Sequence, residues 1–261
     1  MLRTRVITAL IGIPLLIGIL YAGEMFRMGF FSLLALVGLY EFIGMMKQAG
    51  RPAPVLPALL LVMAFLLVEV VAYPLTTLVF ITLLLAVFRV VTNYPNTSFD
   101  NTAMVMFFAV YIGVCLSYAI KLSFMEQGFV WCLLAFFLTW ASDIGGYAVG
   151  IKWGKHKLAP RLSPNKTWEG SLGGILLTSL IALVFFSLTD MVNLISAYAL
   201  LLGVLTSVAA QFGDLLMSGI KRFFQVKDSG HIIPGHGGVL DRFDSFLLVV
   251  PLVYFFLQYL G

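Results

Sequence analysis

Between Ser207 and Ser245 the sequence gathers four acids (Asp214, Asp228, Asp241, Asp244), four cations (Lys221, Arg222, Lys227, Arg242), two histidines and a run of glycines. Polar groups this dense beside strongly apolar segments serve chemistry or transport, because packing alone would not select them. Asp214 and Asp241, with Asp244 as a further candidate, offer an all-oxygen site of the kind that suits Mg²⁺. The four cations suit the phosphates that such an ion would bridge. His231 and His236 have no Cys or His companions at zinc spacing, so zinc is not expected; they serve phosphate or hold the loop. In Pro234-Gly-His236-Gly237-Gly238 the glycines permit tight backbone approach, and successive N–H groups can cradle phosphate. Asp241 and Asp244, three apart at a helix start, are expected on one face.

The helix that must present Asp214 carries Ser207, Gln211, Asp214, Ser218 and Lys221 at spacings of 4, 3, 4 and 3. That spacing makes one polar stripe, which should face another helix or a wet cavity. Over residues 192–220 the helix would be about 43 Å long against a hydrocarbon core of ~30 Å, placing Asp214 near the cytosolic boundary. The plainer alternative is an acid neutralised by Lys221 or Arg222 for packing alone. An earlier helix repeats the theme with Thr139, Asp143, Gly146 and Gly150. Gly145, Gly146 and Gly150 fit close helix packing, whereas Asp143, as a buried acid, needs a partner. The loop after it holds Ser163, Pro164, Asn165, Lys166, Thr167 and Glu169. Pro164 disfavours helix before it, and Asn165 or Thr167 is expected to cap the helix that follows.

The whole chain sets these elements in lipid. Of its 261 residues 61% are hydrophobic and 11% charged, with mean hydropathy +1.03. A soluble domain carries about 25% charged residues, so the composition excludes one. Nine apolar spans are expected: 6–23, 28–46, 55–73, 74–91, 102–122, 129–150, 171–189, 192–220 and 243–260. The third and fourth part at Tyr73-Pro74, where proline removes a backbone donor. The fold is therefore all-α and polytopic, one membrane domain over 1–261, with N-terminal helices in 1–122 and catalytic helices with cytosolic loops in 129–261. The basic, apolar start resembles a signal peptide but lacks an A-x-A cleavage site, so a retained first helix is expected. Cys115 and Cys132, inside apolar runs, are small buried hydrophobes and form no disulfide framework.

With the N-terminus in the cytosol, fourteen of the sixteen Lys and Arg fall on the cytosolic side, leaving Arg27 and Lys121 outside. Loops 151–170 and 221–242 then share that face. Glu41 and Glu69 are weaker leads, expected to pair with Arg or to face another protomer, and Arg89 snorkels.

Ser218-x-Ile220-Lys221-Arg222, Lys227-Asp228 and Pro234-x-His236-Gly237-Gly238-x-x-Asp241-Arg242-x-Asp244 resemble the signature of the phosphatidate cytidylyltransferase (CDP-diacylglycerol synthase) family, with no departure from it. Ser163-Pro164-Asn165-Lys166-Thr167-x-Glu169-Gly170 is similar to that family's other polar block. The resemblance is most specific over 140–245. It implies a Mg²⁺-dependent inner-membrane enzyme that joins CTP and phosphatidic acid into CDP-diacylglycerol and pyrophosphate. It further implies a homodimer with its site open to the cytosol and to membrane lipid, metal ligands Asp214 and Asp241, and K⁺ beside the Mg²⁺. No nucleic-acid partner is expected. Lys221, Arg222, Lys227 and Arg242 would clamp phosphates, and Lys166 with Asn165 the nucleotide. Asp143 and Asp244 would bind metal directly or orient cations. Two rival readings are a CTP-dependent polyprenol kinase and a transporter of an anionic solute.

Overall fold

The computed structural model describes residues 2–68, 74–189 and 196–260. Glu69, Tyr73 and the expected start of the eighth span at 192–195 lie outside them, as do the side chains of Arg3 and Arg5. In lipid every backbone N–H and C=O must be satisfied within the segment, and the apolar runs accordingly close into helices. The described residues contain α1 (Leu2–Tyr21), α2 (Glu24–Gln48), α3 (Val55–Leu67), α4 (Leu75–Asn93), α5 (Phe99–Phe124), α6 (Gly128–Trp153), α7 (Trp168–Thr189), α8 (Ser196–Phe223) and α9 (Leu240–Leu260). Six of these helices are long and apolar enough to cross a membrane; the described apolar parts of α1 and α3 are shorter. The break before the fourth span falls at Pro74, whose extended backbone precedes α4. Outward positions such as Leu10, Phe80, Leu84, Leu176 and Leu188 are apolar and exposed, as lipid-facing surfaces require.

The chain forms two compact units, Met1–Phe124 with Phe223–Arg242, and Met125–Arg222 with Phe243–Gly261. In the first, α3 packs on α4 and α5, and α2 packs on α5. Phe42 of α2 stacks on Phe108 of α5 with ring centroids 4.0 Å apart, and Phe224 meets Phe42 edge-on at 5.6 Å. That aromatic cluster ties the start of the 223–242 segment to α2. Arg27, which the sequence counts only as a charge on the far side, is buried, donating to the Leu20 carbonyl (2.7 Å) and the Ser123 carbonyl (2.9 Å). These carbonyls lie at the C-terminal ends of α1 and α5, where a cation meets the negative end of each helix dipole.

In the second unit α6 and α7 lie together along a seam of small residues. A Cβ on Gly145 would come 2.5 Å from the Gly173 carbonyl oxygen, and one on Gly170 would come 2.7 Å from that of Gly146. The α6 glycines therefore serve close packing, as small-residue patterns do between membrane helices. Between α6 and α7 a short antiparallel hairpin, β1 (Lys157–Ala159) and β2 (Ser163–Thr167), replaces the irregular loop expected from the sequence.

Candidate functional site

In the second unit the polar stripe of α8 meets its neighbours. Ser207 shares a hydrogen bond of 2.9 Å with Ser142 of α6. Gln211 donates to the Ser207 hydroxyl and the Ser171 carbonyl, both at 3.2 Å, and accepts from the Ser171 hydroxyl at 2.5 Å. Its upper members therefore bind helices α6 and α7, while the next residue down the stripe, Asp214, is where the ionic chemistry begins.

Lys166 Nζ stands 2.5 Å from Asp214 Oδ2, and both side chains are partly exposed (23% and 35%). Asp214 Oδ1 accepts a long bond from Ser218 (3.4 Å). The partner of Asp214 identified in the structure is thus the lysine of the Ser163–Thr167 block, not Lys221 or Arg222 as the packing alternative supposes. Strand β2 presents that lysine: Thr167 pairs with Lys157 across the hairpin and, buried, accepts the Gly170 N–H at 3.1 Å. Of the two candidate caps for α7, Thr167 does the capping and Asn165 sits exposed on β2 beside Ser163. Glu169 braces the hairpin's other side, accepting the backbone N–H groups of Lys155 (3.1 Å) and His156 (3.2 Å) and contacting the His156 ring at 2.6 Å. In this structure Glu169 thus braces the loop before the hairpin.

Asp244 is buried, accepts the Ser245 N–H at 2.8 Å, and feels the charges of Asp214, Asp143 and Lys221. Gly213 allows this approach, since a Cβ there would strike the Asp244 carbonyl. Asp143, on α6, keeps this acidic company. Within one unit, Asp214, Asp143 and Lys221 therefore act on Asp244, and Lys166 pairs with Asp214.

The first unit holds the glycine-rich segment. Pro234 and Gly235 (φ +77°) occupy the corner of a turn closed by the His236 N–H on the Ile233 carbonyl at 3.0 Å, the type II pattern that favours glycine third. Gly237 also has positive φ (+83°), and a Cβ there would lie 2.8 Å from Asp241 Oδ2. Asp241 Oδ2 accepts from Ser229 N–H (2.8 Å), Ser229 Oγ (3.0 Å) and Gly238 N–H (3.0 Å). Arg242 Nε donates to the His236 carbonyl at 3.0 Å. The phosphate cradle expected of these N–H groups is thus not how they are used here: those of His236 and Gly238 bind protein acceptors. His236 holds the loop through its backbone. Arg222, Lys227, Asp228 and Arg242 are exposed.

The residue the sequence undervalued is Glu41. Among the described residues no arginine pairs with it; its carboxylate accepts Val239 N–H (2.8 Å), Leu240 N–H (2.9 Å) and Ser229 Oγ–H (2.9 Å). The signal for it was a lone acid inside an apolar helix, Tyr40-Glu41-Phe42-Ile43.

Among the described residues no three His, Cys, Asp or Glu side chains form a preformed metal cage. Mg²⁺ needs none, since it takes one or two carboxylates and completes its shell with water and substrate phosphate. Asp214, half-open and already facing a cation, has the chemistry for that part.

A model of the cytidylyltransferase family matches residues 3–260. The chain belongs to the cytidylyltransferase family. A phosphatidate cytidylyltransferase of Bacillus subtilis (strain 168) is 40% identical over 229 residues, covering 85% of this chain and 84% of that protein. One of Staphylococcus epidermidis (strain ATCC 35984) is 36% identical over 257 residues, and one of Staphylococcus aureus (strain COL) 34% identical over 259, each covering 97% of both chains. The family match therefore takes in both polar blocks, the hairpin that presents Lys166 and the loop that Glu41 holds.

Proposed function

We propose that this membrane protein is a phosphatidate cytidylyltransferase, joining CTP and phosphatidate into CDP-diacylglycerol and pyrophosphate. The observation that carries the reading is the nearly full-length likeness to relatives of that name. The acidic and basic chemistry around Asp214 agrees with it.

A phosphatidate oxygen attacks the α-phosphorus of CTP in line, a new P–O bond forms, and the bond to pyrophosphate breaks. The attacking oxygen is already anionic at neutral pH, so no strong general base is needed. The protein's task is to position two anions and neutralise their charge. Lys166 supplies a cation beside Asp214 and Lys221 one that acts on Asp244, and Arg222, Lys227 and Arg242 supply further exposed cations for phosphate. Ser163, Asn165 and the hairpin offer polar groups for the nucleotide end. Mg²⁺, held by Asp214 with Asp244 and Asp143 near it, would screen the two anions and stabilise departing pyrophosphate. The part of Asp241 as second ligand, and of K⁺ as companion ion, is carried by the sequence motif.

The excess of Lys and Arg in alternate loops supports an inner-membrane protein whose site opens to the cytosol. A homodimer is proposed on the family resemblance, and crosslinking in the membrane tests it.

Purified protein incubated with phosphatidate, Mg²⁺ and CTP labelled in its cytidine tests the reaction. Label should enter lipid and chelator should stop it. Label found only in free CDP would mark a kinase, and nucleotide-free uptake of an anion into liposomes would mark a transporter.

A further inference from the structure

We infer that Glu41 is a positioning residue for the reaction: it sets the Asp228–Asp241 loop and, through Ser229, the orientation of Asp241. The inference rests on the reading above, in which Asp241 serves the reacting phosphates.

Glu41 lies in the C-terminal half of α2 and is 3% exposed. A carboxylate buried in that way is costly unless it is fully hydrogen-bonded. Its donors are two backbone N–H groups at the start of α9 and one hydroxyl, and no cation pairs with it among the described residues. The first N–H groups of a helix lack internal partners and carry the positive end of its dipole, so an anion there is satisfied without a countercharge. The local sequence makes room for it. A Cβ on Gly238 would fall 2.5 Å from Glu41 Oε2, and one on Gly230 would fall 2.6 Å from Oε1. Two glycines of the polar segment thus exist beside this acid because no larger residue fits.

Ser229 joins the clamp to the motif. Its hydroxyl is 2.9 Å from Glu41 Oε2 and 3.0 Å from Asp241 Oδ2, and its N–H is fixed on that same Asp241 oxygen. One hydroxyl proton therefore bridges two carboxylates, and moving Glu41 moves the group that orients Asp241. Stability alone would be served as well by apolar groups of the same shape. A fully satisfied buried network instead fixes one geometry.

The test uses full-length purified protein carrying Glu41→Gln or Ser229→Ala. Two readouts apply: hydrogen exchange at Val239 and Leu240 without substrate, and kcat against KM for CTP. Glu41→Gln puts an amide NH₂ where an acceptor is needed. Exchange at both amides should rise while the α6–α7 seam is unchanged, and kcat should fall about tenfold to a hundredfold, as loss of an orienting partner does. Ser229→Ala should keep protection at Val239 and Leu240, which Glu41 still holds, yet lower kcat with little change in KM. Faster exchange in Glu41→Gln with kcat within twofold of wild type would overturn the proposal, leaving a structural clamp only. So would unchanged exchange, or full kcat in Ser229→Ala; the last decides alone if Glu41→Gln fails to accumulate. Wild-type protein that makes no labelled lipid would instead sink the functional reading, and the exchange arm would still report the clamp.

Discussion

Lys166 Nζ lies 2.5 Å from Asp214 Oδ2, which joins the hairpin after α6 to the polar stripe of α8. Two segments nearly fifty residues apart in sequence meet through these charges. A half-exposed ion pair of this kind contributes little to stability. Its value lies in holding a cation and a carboxylate at one place, ready for phosphate and metal.

Lys166→Met should therefore leave folding intact and lower kcat/KM for CTP by about a hundredfold, within the range for losing one electrostatic stabiliser. Lys166→Arg should recover part of that loss, since it keeps the charge and changes the donor geometry. Steady-state kinetics decide it: activity of the methionine variant within twofold of wild type would remove Lys166 from the site.

Gly213 and Gly219 make a matched pair on α8. A Cβ on Gly213 would strike the Asp244 carbonyl, whereas one on Gly219 would meet only Leu162 Cδ2 at 3.5 Å. Gly213→Ala should cost about 1–3 kcal/mol as an overpacked contact. Gly219→Ala should be neutral or should gain up to about 1 kcal/mol from helix propensity. Thermal midpoints in one detergent compare them, and equal midpoints would contradict the packing described.

Gln211 makes three hydrogen bonds, two with Ser171 and one with Ser207. Gln211→Leu strands those groups in a membrane interior, where one interhelical bond is worth about 0.6 kcal/mol and at most ~2. A stability loss of about 1–2 kcal/mol on denaturant titration is expected, with a smaller loss for Ser142→Ala, which touches Ser207 alone. No change in Gln211→Leu would mean the stripe is not zipped to α7.

The helices among the described residues fall on apolar runs legible from hydropathy, because lipid leaves such a run no other way to satisfy its backbone, and six of them are long and apolar enough to cross a membrane. The α8 stripe was legible from its 4, 3, 4, 3 spacing, and the α6 glycines from their small-residue pattern. Spacing does not reveal a partner, however. Lys166 and Asp214 belong to separate segments, and Glu41 lies 188 residues from Ser229. The hairpin was hidden because its five-residue strand carries a proline and no apolar alternation. The glycine-rich turn read as a phosphate cradle because the groups that occupy its N–H donors, the Ile233 carbonyl and the Asp241 carboxylate, are not evident from spacing.

Chelation bears on the ion itself. With excess chelator, labelled lipid should not form, and added Mg²⁺ should restore it; turnover that survives chelation would remove the metal from the scheme.

The most direct measurement is pyrophosphate release by purified Asp214→Asn, which keeps the side chain's shape and removes its charge. The account predicts a loss of at least about a hundredfold at an unchanged thermal midpoint. Release at near wild-type rate from that variant would contradict it, because the carboxylate at the centre of the gathered charges would then take no part in the transfer.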